Sequence, residues 1–259
     1  MRGIYLTGTV LVCMFLASAG SNGFGQIRNN QAPPKSLVVI DTTDKENVRG
    51  NVSFAYAWGE QLRYPLKYTR GLSKLTEAMK KWTKISVRLE EHLLLSSERL
   101  LEMPFVFVTT EDMFELTPTE RKNVTRFFEK GGVMLLDDTS PRSDFSAAEA
   151  TLKKMILDTI PNARFQIIPN SHPLYHCFFD FDDGPPYGDE VGTSMGFMSK
   201  PVFYLEGVWY KNRLVAIYSN KGYIRRWSDN SDSDPQLKMG VNMVVFALTQ
   251  EGGIAEIVR

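Results

Sequence analysis

The stretch Met103–Asp138, MPFVFVTTEDMFELTPTERKNVTRFFEKGGVMLLDD, narrows the folds open to this chain more than any other. It holds two continuous apolar runs, MPFVFVTT and GVMLLD. Runs without polar alternation fit strands covered on both faces. Between them, Thr117-Pro118-Thr119-Glu120 reads as a capping box with proline at the first helical position. Val124, Phe127 and Phe128 form the apolar stripe of the helix that follows. Gly131 supplies its left-handed stop. Strand, helix and strand joined at this spacing make a parallel pair with a right-handed crossover.

The alternation extends in both directions. Val52–Trp58 reads as a strand. Leu72, Leu75, Met79 and Trp82 fall on one helical face. KISVRLE is a short strand. Ser146 to Glu149 repeats the capping pattern ahead of Leu152, Met155, Ile156 and Ile160, and RFQII is a further strand. Past Pro169 the pattern changes to a long aromatic loop, HPLYHCFFDFDDGPPYGDEVGTSMG. YLEGVWYKNRLVAIYS then predicts a β-hairpin turning near Lys211-Asn212. The acidic loop SDNSDSDPQ leads into LKMGVNMVVFALTQ, a mostly apolar closing helix that packs on the sheet. Alternating strands and helices imply α/β architecture with a parallel sheet. No internal repeat and no second domain boundary is evident.

The beginning of the 259-residue sequence has a different character. Arg2, an apolar run from about Ile4 to Ala17, and Ala17-Ser18-Ala19 have the form of a signal peptide. Cleavage is expected after Ala19 or near Gly25, so residues 1–25 are assigned to the signal. The run is too short for a comfortable membrane span, so no stable membrane insertion is expected after cleavage. Residues 26–50, polar and rich in Gly, Asn and Pro at their start, are expected to be a flexible leader. Residues 51–259 are expected to form a single α/β domain. The chain is thus expected to be exported, to the periplasm or beyond. Cys177 alone would remain in the mature chain, so no internal disulfide is available. Loss of Arg2 leaves 29 basic against 30 acidic residues. That balance gives no reason to expect nucleic acid as a partner.

Four segments in order, RFFEKGGVMLLDD, HPLYHCFFDFDDGP, GVWYKNRLVAIYSN and MGVNMVVFALT, resemble the bacterial domain-of-unknown-function family 4159. The resemblance covers about Asn51–Gln250. It implies a flavodoxin-like three-layer sandwich with a mostly parallel central sheet and a C-terminal β-hairpin. It also implies kinship with class I glutamine amidotransferases and trehalose-utilisation-like proteins. No reaction is established for the family as such. Where similar sequences carry a polar NTDLGDGWE-like segment, this chain reads NKGYIRRWSDN, Asn220–Asn230. Asn220 and Trp227 match, but the carboxylates are replaced.

An amidotransferase of that class needs a cysteine on a tight strand-to-helix turn. Here the corresponding strand ends VFVTTEDMFEL, with no cysteine and no Gly-x-Cys or Gly-x-Ser elbow. Asp137 and Asp138 sit where the next strand ends, at the edge of an α/β sheet where ligands bind. Neighbours on a strand point to opposite faces, so at most one of them faces a ligand while the other secures the loop. His172 follows the next strand. It either bonds a loop carbonyl or joins an aspartate in a weak metal or acid–base site. Tyr56, Trp58, Arg63, Tyr64, Tyr68 and Arg70 crowd the first strand-to-helix loop. Aromatics interleaved with arginine can stack on and clamp a ligand. Zinc signatures and a phosphate-cradling glycine loop are absent, so no metal and no cofactor are expected. DFDDGPPYGDE lacks the pattern of an EF-hand loop.

These readings leave three functions open. The first is an exported, non-catalytic binding or interaction module, with Tyr56, Trp58, Arg63, Asp137, Asp138 and His172 around its crevice. Its partner would be a small molecule, a glycan or an envelope protein. The second is a hydrolase-like enzyme, on carbohydrate for instance, using an Asp/His pair. The third is a structural component of a cell-envelope complex. Fold alone does not choose among them.

Overall fold

The computed structural model describes residues 35–41, 43–139, 146–188, 202–229 and 232–258. The expected signal peptide and the first part of the expected leader lie outside these residues. Strands β1 (Leu37–Ile40), β2 (Val48–Trp58), β3 (Lys84–Leu94), β4 (Phe105–Thr110), β5 (Val133–Asp138), β6 (Gln166–Ile167), β7 (Glu206–Tyr210), β8 (Arg213–Ser219) and β9 (Glu256–Val258) form one sheet. Helices α1 (Arg70–Trp82), α2 (Pro118–Lys130), α3 (Ala147–Leu157), α4 (Tyr223–Ser228) and α5 (Asp234–Thr249) cover it.

The sheet order is β6-β7-β8-β5-β4-β2-β1-β9, with β3 on β2. The centre is parallel: β2 with β3 and β4, β4 with β5, and β5 with β8. Antiparallel pairs are β1 with β2, β6 with β7, and β7 with β8. β3 follows β2 from Arg49 to Trp58 on one edge. β1 and β4 therefore divide the other edge, at Val48–Asn51 and Phe54–Tyr56. The arrangement is α/β, mostly parallel, with helices on both faces, consistent with a flavodoxin-like fold.

Every residue of β4 and β5 is buried. Their alternating side chains supply two cores. Phe105, Phe107, Val133 and Leu135 join α1, α4 and α5 on one face. Val106, Val108, Met134 and Leu136 join α2 and α3 on the other. The capping box at α2 forms in full, with Thr117 accepting from the Glu120 amide and Glu120 accepting from the Thr117 amide. Gly131 ends the helix at φ 108°, a left-handed value that favours glycine. Lys211 and Asn212 both have positive φ, 51° and 61°, as expected for a two-residue turn matched to the sheet twist.

Two expectations need correction. The leader expected over residues 26–50 contains β1, because Leu37–Ile40 zips onto β2 on one side and β9 on the other. The strand expected over RFQII shrinks to Gln166–Ile167, which among the described residues pairs only with β7. The segment Asn220–Asn230, in which the carboxylates of similar sequences are replaced, contains α4. Its Trp227 is fully buried, edge-on to Phe107 at 5.9 Å and stacked on Tyr223 at 6.1 Å. No helix among the described residues is long and apolar enough to cross a membrane.

Candidate functional site

Open α/β sheets bind ligands beyond the carboxyl ends of their strands. Here that edge is built from Trp58 and Gly59 after β2, Thr110 and Glu111 after β4, Asp137 and Asp138 on β5, and Ser219 on β8. β5 keeps its strand conformation through both aspartates, in register with Thr109 and Thr110 of β4. The two carboxylates therefore diverge, as expected from strand geometry.

Asp137 falls on the face of Val133 and Leu135 and is wholly buried. Its Oδ2 accepts from the Ile224 amide at 2.8 Å, which ties β5 to the first turn of α4. Among the described residues its Oδ1 has no hydrogen-bond partner. Burial is the main cause that raises its pKa to about 7, against the opposing hydrogen bonds from Ile224, Ser219 and Tyr223; nearby Asp138 adds to the rise. Asp138 lies on the α2/α3 face and is also buried, in contacts of its own. Sequence reasoning placed one aspartate in the crevice. Both instead point into the two cores.

His172 is not their partner. Its Nδ1 accepts from the Leu174 amide at 3.1 Å, capping the short helical turn Pro173–Tyr175. Its ring packs on Trp209 at 6.0 Å and Phe246 at 5.3 Å. Trp209 is registered with Leu214 at the start of β8, and α5 ends on Leu214 through Gln250. Asp137 is registered with Ser219 at the other end of β8. Five residues of strand separate the two levels, about 17 Å at about 3.3 Å per residue. Burial alone lowers the pKa of His172. The proposed Asp/His acid–base pair is thus not assembled.

The aromatic loop after β2 is mostly core. The Tyr56 hydroxyl accepts from the Leu72 amide at 3.0 Å and from the Tyr64 hydroxyl at 2.8 Å, and donates to the Tyr68 carbonyl at 3.2 Å. That set fixes the start of α1. Arg63 reaches back to the Gly59 and Leu62 carbonyls and so clamps its own loop. Arg63 and Arg70 are exposed, and of the aromatics Trp58 is half-buried while Tyr56, Tyr64 and Tyr68 are buried. Trp58 is stacked on His92 at 4.9 Å, with its indole N–H donating to the Glu91 carbonyl. Leu66 stands exposed beside it. Trp58, Leu66, Thr69, Glu91 and His92 rim a slot of about 30 Å³, room for about one water.

Two features escaped sequence reasoning. Glu111, just after β4, accepts from the Tyr68 hydroxyl at 3.2 Å and pairs with Lys67 at 2.7 Å. Its place at a strand end was the available signal. A cleft of about 400 Å³ opens beside α2, lined by Gly59, Glu60, Leu94, Ser96, Thr117, Thr119 and Glu120. No sequence signal marks it, because its walls come from three separate segments.

Cys177 sits far from this edge. Its thiol donates to the Asn242 carbonyl at 3.3 Å, and burial pushes its pKa up to about 12. Asn242 also holds the loop by bonds to the Phe179 amide and to the Leu174 and Phe179 carbonyls. Among the described residues, no three His, Cys, Asp or Glu side chains come together as metal ligands.

A model of the family described as domain of unknown function (DUF4159) matches residues 56–248. The chain belongs to this family. The segments HPLYHCFFDFDDGP and MGVNMVVFALT that carry the family likeness meet at Asn242, where they stitch a loop to a helix. A solved structure of a protein from Bacteroides uniformis described as ThuA-like is similar at 12% identity, covering 77% of this chain and 92% of that one, with a TM-score of 0.40. No curated protein matches the chain.

Proposed function

We propose that this chain is an exported, non-catalytic binding module built on an α/β scaffold that lacks a nucleophilic cysteine at its strand ends. One observation carries the reading. Asp137, His172 and Cys177 are each tied by hydrogen bonds into the protein's own framework. A catalytic group needs access to the reacting atom within hydrogen-bond reach. Export rests on the sequence of residues 1–25.

The binding surface is the carboxyl edge of β2 and β3. The cleft beside α2 has the volume of a small-molecule site. Its exposed hydroxyls, Ser96 and Thr119, and its exposed carboxylate, Glu60, suit a polar neutral or cationic ligand such as a glycan unit or an amine, while Thr117 and Glu120 hold the wall through their capping bonds. Trp58 and Leu66 supply an apolar shoulder. A thermal-shift panel of sugars, amines, amino acids and metal salts tests this, since a ligand that binds only the native state raises the midpoint. The expected result is a ligand that raises the midpoint, is not consumed, and loses its effect in Ser96→Ala/Thr119→Ala. Consumption of any glycan or ester by the purified protein would instead support the hydrolase reading. A midpoint unmoved by the whole panel would leave a structural role in an envelope assembly.

A further inference from the structure

We infer that β3 is a self-association edge, and that two copies of this chain pair through it as antiparallel strands to continue the sheet. β3 is the longest strand with an open edge: among the described residues it pairs with β2 alone. An exposed strand edge offers a row of unpaired amides and carbonyls as a template for another strand. A β-bulge lies between Glu90 and Leu93, where two residues of β3 oppose Tyr56. That bulge bends the far end away and leaves Lys84–Glu90 as the regular stretch.

The order of side chains in that stretch selects the occupant. Ile85, Val87 and Leu89 face the α1 side, and Val87 and Leu89 are only partly covered. Lys84, Ser86, Arg88 and Glu90 face the other way. The basic residues Lys84 and Arg88 precede the acidic Glu90. A second copy running antiparallel about Val87 sets Lys84 opposite Glu90 of that copy, twice by symmetry. It sets Ile85 opposite Leu89, and Val87 opposite itself. The apolar stripe then becomes continuous across the two-fold axis, as an isologous interface requires. A parallel arrangement would set like charges side by side. Glu90 already takes Arg99 on Oε2, which leaves its other oxygen for the incoming lysine. The two Arg88 side chains meet on the diagonal and are the one opposed contact.

The test is the molar mass of the purified full chain by light scattering over a concentration series, together with the dissociation constant by sedimentation. A dimer is expected. Lys84→Glu, at an exposed position, should weaken it by about 30-fold, since two attractive cross-strand pairs become repulsive. Glu90→Lys should act alike, and the exchanged pair Lys84→Glu/Glu90→Lys should restore it. Arg88→Gln should tighten it. Unchanged far-ultraviolet circular dichroism confirms that each variant is folded. A wild type that stays monomeric at every concentration overturns the inference. So does a dimer indifferent to the charge exchange, which would point to another surface. A monomer that pairs only with a foreign strand peptide would also overturn it and make β3 a docking edge for a different partner.

Discussion

Asp137 makes a prediction that can be worked through in energy. In the folded chain its carboxyl holds a proton to about pH 7, whereas the unfolded chain releases it near the ordinary value of 3.8. At about 1.4 kcal/mol per pH unit this amounts to about 4 kcal/mol. The direction is the reverse of a salt-bridged aspartate. The contribution to stability is fully present below pH 3.8 and is lost as pH rises through about 7, because only the unfolded state gains by ionising in that window. Asp137→Asn removes the titration, and its side-chain oxygen can still accept from the Ile224 amide. Between pH 5 and pH 8, the wild type should therefore lose about 3 kcal/mol that the variant keeps. Urea unfolding at several pH values measures this as a midpoint difference growing by about 1–2 M, given about 2 kcal/mol per molar. Parallel pH profiles for the two proteins would refute the reasoning. They would mean that the carboxylate is ionised at neutral pH and stabilised by something other than the Ile224 bond.

Three further outcomes follow from named contacts. His172→Asn keeps a side-chain acceptor for the Leu174 amide but removes a histidine whose pKa burial lowers. The stability that the wild type loses as pH falls below about 6.5 should be smaller in the variant, again by urea unfolding. Thr117→Ala breaks the capping box at α2 and should cost about 1–2 kcal/mol at any pH. Replacing Lys211-Asn212 by Asn-Gly should raise the thermal midpoint by about 2–4 °C, because both positions already hold positive φ.

How much of this was legible in advance depended on how local the cause was. The capping box, the Gly131 stop and the Lys211-Asn212 turn each rest on a few adjacent residues, so their positions could be read directly. The β4-α2-β5 unit followed from apolar runs that only a doubly covered sheet can bury. β1 was missed because four apolar residues in a polar context are no signal until β2 and β9 lie beside them. α4 was missed for a similar reason. YIRRWS has too few residues for a period, and Tyr223, Ile224 and Trp227 become core only when α1 and α5 close over them.

The candidate site divides along the same line. Strand geometry alone determined that Asp137 and Asp138 diverge, since successive side chains on a pleated strand must point to opposite faces. The sequence also determined that the strand before Glu111 carries no cysteine. Only the tertiary structure decided that Asp137 would be sealed beneath α4, and that His172 would lie at the far end of β8. The cleft beside α2 likewise exists only once three segments distant in sequence have met. A titratable group's chemistry follows from its desolvation and its partners, and both come from residues far away along the chain: Ile224 and Ser219 for Asp137, Trp209 and Phe246 for His172.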